Sequence, residues 1–483
     1  LEEMAASDIP CARFSLQSSG LEMARADTVR VLEITKLVTE KNGSGESVPV
    51  EAFEGFNLIF VDEGHKGTGS EAQTWRERRQ ALVAQGFTFE YSATFGQALD
   101  AAKTDAVTGE YAKAIVFDYS YKYFYGDGFG KDFHILNLKD YEDEESVHML
   151  LLANLLSFYE QRAFYHTNAN TLRDYGIEPP LWLQICSRVS ATNAEVMTVL
   201  NFLARFTMNE RDWSVKRIAK VLDGKSGIEL DGERTDLFAG RLPWLRASRR
   251  SKDAGKVFHD ILSRVFEAAS PGELEIKAIK SAKGEIALRV SGATNDFGLL
   301  NIGNVSGFKK ILEAEAPELS LGEDAVAQPI FHEVKKPSSK INILIGVKRF
   351  MEGWSSWRVS NIGLLNVGVS EGSEIIQLFG RGVRLKGKNF SLKRSSELPG
   401  IDHPKHLKLL ETLNIFAVRA NYMTRFRDYL EREGVDTGGY VEMDLPLWTN
   451  QEFLKEPLYR PRIDSDRKFA DECEVVLELN SES

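Results

Sequence analysis

Short apolar runs broken by charge and glycine recur along this chain, and they predict the strands of a largely buried sheet. They are Leu58–Val61 (LIFV), Leu181–Cys186 (LWLQIC), Ile341–Val347 (INILIGV) and Leu413–Val418 (LNIFAV), with Val29–Leu37 and Thr88–Tyr91 as further strands. Between them, apolar residues at helical spacing predict helices near 146–162, 194–206, 257–265 and 420–433. The stretch Trp75–Val83 is charged and reads as a solvated helix with Leu82 inward. Glu273–Val290 alternates like a hairpin turning at Lys283 and Gly284, and Tyr119, Tyr121 and Tyr123 are expected on one face of a strand. Strands alternating with helices predict an α/β protein with parallel pairing.

At 483 residues the chain exceeds one core, so two to four domains are expected. A net charge of -11 excludes a uniformly basic nucleic-acid coat but leaves room for a local basic channel. Cys11, Cys186 and Cys473 form no C-x-x-C pair, so neither a disulfide framework nor a zinc site is suggested. The most apolar helical run, Val147–Tyr159, is shorter than the ~20 residues of a membrane crossing, so no membrane partner is expected. The chain opens at Leu1 without a targeting segment, and an absent amino terminus is the expectation.

Candidate chemistry gathers first at Asn57–Gly67 (NLIFVDEGHKG). Asp62 and Glu63 follow an apolar strand, and the carboxyl edge of an open α/β sheet is where such folds place ligands. Adjacent carboxylates with His65 two residues on suit a Mg-bound phosphate: one acid meets the hard cation, the other orients water. For this segment alone, Asp62 as a helix N-cap is the alternative. A second strand then delivers Ser92, Ala93 and Thr94 to the same edge. Much later, Glu374–Arg384 (EIIQLFGRGVR) carries Gln377, Gly380, Arg381 and Arg384; on a helix its two arginines face one way, and their forked charge suits a γ-phosphate.

DEGH at Asp62–His65 and SAT at Ser92–Thr94 resemble motifs II and III of superfamily 2 (DEAD/DEAH-box-like) helicases. FVDEGHKG with FTFEYSATF is similar to the branch containing type III restriction-enzyme helicase subunits, and Q-x-x-G-R-x-x-R resembles motif VI. Glu352, Gly353 and Trp354 fall where motif V lies, without its usual Asp after the Gly. The resemblance implies ATP and Mg2+ as cofactors and two RecA-like parallel-sheet domains, the first incomplete. The implied layout is residues 1–165 with motifs II and III, a linker at 166–180, and a second domain at 181–387 with an insertion near 210–340. A smaller α/β extension follows at 388–483.

It further implies that Asp62 and Glu63 hold the metal and water, that Gly353 touches nucleotide or backbone, and that His65, Ser92, Thr94 and Gln377 couple nucleotide state to closure. Arg381 and Arg384 become candidate arginine fingers. The implied activity is a nucleic-acid-dependent ATPase, a helicase or translocase on DNA ahead of RNA, cytoplasmic, in a restriction or antiphage setting with modification or nuclease subunits as partners. Two alternatives stay open: a restriction subunit with a cutting domain, and a non-catalytic nucleic-acid-binding scaffold.

No G-x-x-x-x-G-K-[ST] loop precedes Asp62, so a fragment lacking it is expected to be inactive, and amino-terminal truncation is the expected cause. Gly126–Lys131 (GDGFGK) fails as that loop on spacing. The aromatic run at 115–125 suits base stacking, though packing is the preferred reading. Arg241, Arg246, Arg249, Arg250, Lys252 and Lys256 suit phosphate tracking or a solvated loop. Glu275 and Lys277 form an E-x-K without an assignable upstream acid.

Overall fold

The computed structural model describes residues 4–5, 7–14, 28–33, 36–37, 48–53, 55–64, 72–92, 109, 113–138, 144–186, 194–228, 236, 238, 240–248, 253–325, 327–347, 354–365, 372–418 and 430. Strands are β1 (Cys11–Arg13), β2 (Val29–Val31), β3 (Leu58–Val61), β4 (Phe87–Glu90), β5 (Asp132–Leu138), β6 (Leu181–Cys186), β7 (Leu274–Ile279), β8 (Glu285–Val290), β9 (Gly298–Asn301), β10 (Leu321–Asp324), β11 (Ile343–Val347), β12 (Val359–Leu365) and β13 (Thr412–Val418). Helices are α1 (Ala72–Leu82), α2 (Tyr121–Gly126), α3 (Glu144–Thr167), α4 (Ala194–Met208), α5 (Trp213–Leu222), α6 (Pro243–Ala247), α7 (Ala254–Arg264), α8 (Val305–Glu315) and α9 (Gly372–Gly382).

The fold is α/β, built on a nine-stranded mixed sheet in the order β10-β7-β8-β9-β11-β6-β12-β13-β5. From β9 to β5 every pairing is parallel, whereas β7, β8 and β9 form an antiparallel meander. Both faces of β6, β11 and β12 are covered, so these strands are mainly apolar, with Gln184, Ser360 and Asn361 as buried polar exceptions, whereas β5 at the edge leaves His134 exposed. Trp182 of β6 packs with α3, α4 and α7, while Leu181, Leu183 and Ile185 pack on the opposite face with α9. In β12 a register shift between Val359 and Asn361 lets Val359 share the α9 face with Ile362 and Leu364 despite the odd spacing.

Helix α3 is buried almost all round, and Glu160, Gln161 and Arg162 find internal partners, whereas the Asn154 amide has none among the described residues. Gln161 donates to the carbonyls of Leu409 (2.7 Å) and Thr412 (2.9 Å) and accepts from Asn361 (2.6 Å). Arg162 donates to the carbonyls of Arg264 (2.8 Å) and Pro180 (3.2 Å). Glu160 accepts from the Leu245 amide at 2.8 Å, satisfying a donor in the first turn of α6.

Several expected boundaries move. The hairpin at 273–290 is present, and Gly284 turns it with φ +90° where a Cβ would lie 2.3 Å from the Ile302 carbonyl oxygen. Tyr121 is not on a strand: it begins α2 and packs against Phe379 (4.9 Å between ring centroids), leaving Tyr119 and Tyr123 exposed. β5, expected in the first domain, closes the edge of the large sheet beside β13, and β13, expected in an extension, lies inside that sheet. Residues 166–180 are anchored rather than a free linker. Leu172 and Tyr175 pack with Leu407 and Leu410, and the carbonyls of Pro179 and Pro180 accept from Arg358 and Arg162.

Leu1–Thr437 form one compact unit; the second, Gly438–Ser483, lies outside the described residues. So do the second S-A-T at 190–192 and nearly all of the helix expected at 420–433. Among the described residues no helix is long and apolar enough to cross a membrane.

Burial raises the Glu160 carboxyl from its ordinary 4.5 to about 7, only partly opposed by backbone N–H donors. Since the folded value lies above the unfolded one, its ionisation withdraws stability as pH rises from about 4.5 to about 7. Glu160→Gln keeps the acceptor and removes the charge. Urea unfolding at pH 8 is expected to show a midpoint at or above wild type, with a flatter pH dependence below pH 7; a lower midpoint at pH 8 would contradict this.

Candidate functional site

β3 and β4 form a separate two-stranded parallel sheet in register Leu58↔Phe87 to Val61↔Glu90. One face of this pair is open. Leu58 and Phe60 are 61% and 60% exposed, where a strand covered on both faces was expected, and Phe60 stacks on Phe89 at 5.8 Å. Helix α1 holds the other side through the enclosed Arg79–Glu90 ion pair, so Arg79 faces inward where the charged pattern suggested only solvent. Asn57 ties the unit together by donating to the carbonyls of Phe53 (2.6 Å) and Leu82 (2.9 Å). Gly86 passes so close that a Cβ would sit 2.0 Å from the Asn57 carbonyl oxygen.

Both strands deliver their chemistry to one edge. The Tyr91 amide donates to Val61 (2.9 Å) and the Gly64 amide to Tyr91 (2.9 Å), which sets Asp62 and Glu63 beside Ser92. Asp62 is exposed and its Oδ1 accepts the Glu63 amide at 3.0 Å. Glu63 adopts φ 55°, a left-handed conformation that a side chain-bearing residue occupies at a cost, and such strain gathers at functional sites.

Helix α9 brings the second component. Ile376, Phe379 and Val383 keep helical spacing and bury into the sheet, so Gln377 points elsewhere. Its Nε2 donates to Glu63 Oε1 at 3.0 Å, joining positions 314 residues apart. Arg381 lies in the last turn of α9, half-buried near Leu183, Ile185, Leu344, Trp354 and Leu378. Arg384 does not share its helix face: α9 stops at Gly382, and Arg384 turns to donate to the Ser355 hydroxyl ahead of β12.

Arg384 lines a cavity of about 10 Å³ with Lys131, Glu178, Arg358 and Lys386, little more than one water can occupy. Lys131, at the end of GDGFGK, is buried and donates to the Val359 carbonyl; burial lowers its ammonium from 10.5 to about 8. That lysine is therefore committed to the fold and is not presented to a phosphate. His65, Thr94, Glu352 and Gly353 lie outside the described residues.

The other candidates resolve into structure. Glu275 is held below the usual carboxylate range chiefly by its hydrogen bond from Lys277, 2.6 Å away, and it faces Arg289 across the ladder. Among the described residues no three His, Cys, Asp or Glu side chains form a metal-binding group. Arg246 donates to the carbonyls of Arg241, Val221, Leu222 and Phe238, which removes it from the basic patch; Arg249, Arg250 and Lys252 lie outside the described residues. Trp354 is buried as a packing residue. Nothing in the sequence pattern marked Glu160 or Arg358 as buried charges, because both sit among ordinary helix and loop residues.

Comparison with known proteins finds no matching family model and no matching curated protein.

Breaking the enclosed Arg79–Glu90 pair from one side leaves a charge without its partner. Arg79→Ala is expected to cost about 3–5 kcal/mol locally, whereas Arg79→Met with Glu90→Leu together cost far less. Hydrogen exchange of the β3 and β4 amides reads this directly, and equal protection in the single and double variants would refute it.

Proposed function

We propose that this chain is the core of a nucleic-acid-dependent ATPase of the superfamily 2 helicase type, a translocase or strand separator, with two RecA-like portions. The observation that carries the reading is the Gln377–Glu63 hydrogen bond. Two segments that resemble motifs II and VI, 314 residues apart in sequence, meet through the side chains that such a motor would use to join its nucleotide site.

The residues present fit Mg2+ with ATP in one respect. Asp62 is exposed at a strand end beside Glu63, and Mg2+ in phosphate sites takes only one or two carboxylates, the rest being water and phosphate oxygens. When bound, the metal would neutralise charge on the phosphates. In this reading Asp62 meets the metal. Glu63 accepts a proton from, or orients, the attacking water, and its bond to Gln377 fixes the carboxylate while reporting its state to α9. Arg381 and Arg384 remain the two arginine-finger candidates, Arg384 donating to the Ser355 hydroxyl. Ser92 stands at the adjacent strand end, where a hydroxyl can follow the same movement. DNA is proposed ahead of RNA as the track, and restriction or defence as the setting, on the resemblance alone.

ATP turnover of the longest product of the coding sequence, with and without single- and double-stranded DNA and RNA, tests this. Stimulation by one polymer, reduced at least a hundredfold in both Glu63→Gln and Arg381→Ala, is the expected result. A folded protein that carries a phosphate loop yet shows no turnover with any polymer would leave the scaffold reading instead.

A further inference from the structure

We propose that the loop between Lys386 and Lys393, on the amino edge of the large sheet, is a contact surface for single-stranded nucleic acid. This deepens the functional reading above and takes its biological sense from it. The loop is built in an unusual way: Asn389, Phe390 and Leu392 all adopt left-handed backbone, with φ of 52°, 63° and 62°. Such conformations persist only where the surroundings enforce them. Here the Leu392 amide donates to Lys386 (2.8 Å), the Gly130 amide donates to Leu392 (2.9 Å), and Arg394 donates to the carbonyls of Tyr125 (2.8 Å) and Phe129 (3.0 Å).

What the strained loop presents is an aromatic ring among cations. Phe390 is 62% exposed and leans on Trp357 at 6.1 Å between ring centroids. Around it the lysines rest on rings: Lys386 over Trp357 (5.6 Å), Lys388 over Tyr175 (5.5 Å) and Lys393 over Phe129 (4.9 Å). A ring holds a lysine stem extended without cancelling its charge, so less freedom is lost on meeting a phosphate. Lys386 is also paired with Glu178, but neither Lys388 nor Lys393 has an ion pair among the described residues.

The charge is local. From Arg384 to Lys408 there are seven Lys and Arg against two Asp and Glu, but Arg394 is buried and Lys386 and Lys408 are paired with Glu178 and Asp132, so within the loop the positive charge rests on Lys388 and Lys393. Cations beside an exposed ring fit a strand whose bases are unstacked, because a duplex offers phosphates but no base face to Phe390. The neighbouring cleft of about 380 Å³ is lined by both signs, Asp132, Glu397 and Glu411 with Arg394 and Lys408, and Lys408 is paired with Asp132 at 3.2 Å.

Fluorescence anisotropy of an end-labelled oligo(dT) with the full chain, across a salt series, tests the surface. Lys388→Ala with Lys393→Ala should weaken binding. The double variant should also reduce the slope of log affinity against log salt by about 1.4, since each single-strand phosphate contact contributes about 0.7. Phe390→Ala should weaken binding roughly fivefold or more without changing the slope. Lys388→Glu with Lys393→Glu serves as a second variant, and thermal unfolding confirms that each is folded.

Wild-type affinity and slope in both lysine variants, an unchanged affinity in Phe390→Ala, or no oligo(dT) binding by the wild type would each overturn the proposal. Turnover failing in every preparation while the slope change persists would sink the motor and leave this surface. Polymer-stimulated turnover with unaltered binding in the variants would sink the surface alone.

Discussion

Burial of the parallel strands on both faces is the constraint on which the rest of the structure depends. It favours apolar side chains above and below the sheet, and it makes a polar group brought inside costly unless it finds a partner there; most do, though Gln184 and Asn154 have none among the described residues. At the amino edge these partners are mainly backbone carbonyls, and their donors are mainly cations. Arg358 donates to Pro179 (3.0 Å) and Ile341 (2.9 Å), Arg162 to Arg264 and Pro180, Arg394 to three carbonyls, and Lys131 to Val359. A planar guanidinium can serve several carbonyls at once, which explains why arginine recurs. Burial pulls Arg162 down to about 9 and Arg358 to about 10, so these cations are held at a desolvation cost that their carbonyl contacts offset.

That arrangement separates two kinds of positive charge that look alike in sequence. Buried arginines and Lys131 act as internal hydrogen-bond donors, whereas Lys388 and Lys393 are half-buried, rest over aromatic rings and have no ion pair among the described residues. Burial and strain, not residue type, divide them. The same distinction explains Arg246, which belongs by composition to a basic patch and by contact to four carbonyls.

Periodicity made the strands β6, β11 and β13, the hairpin of β7 and β8, and the buried face of α7 legible, because each is a local pattern with a short repeat. The sheet order was not legible. β5 pairs with β13, and nothing local in either strand specifies a partner so distant in the chain. The site divides in the same way. Asp62, Glu63 and Gln377 could be chosen as chemical types, and a strand ending in two acids does lie beside one ending near Ser92. The alignment of Arg381 with Arg384 failed because helical spacing applies only while the helix lasts, and α9 ends at Gly382 between them. The apolar run of β3 predicts cover on both faces, yet Leu58 and Phe60 are exposed, because an apolar run does not report what packs against each face of its strand.

One short segment links the candidate nucleotide site to the cationic loop. Gln377 lies within α9, Arg381 in its last turn, Arg384 just beyond against Ser355, and Lys386 at the start of the strained loop. A helix seated by Ile376, Phe379 and Val383 moves as a unit if it moves at all. The Gln377–Glu63 bond therefore ties the β3 edge to the same helix that leads into the loop. The left-handed backbone of Asn389, Phe390 and Leu392 lies directly beyond that helix, and it is held by local bonds, from the Leu392 amide to Lys386 and from the Gly130 amide to Leu392, so the loop's shape depends on the same segment that carries Gln377.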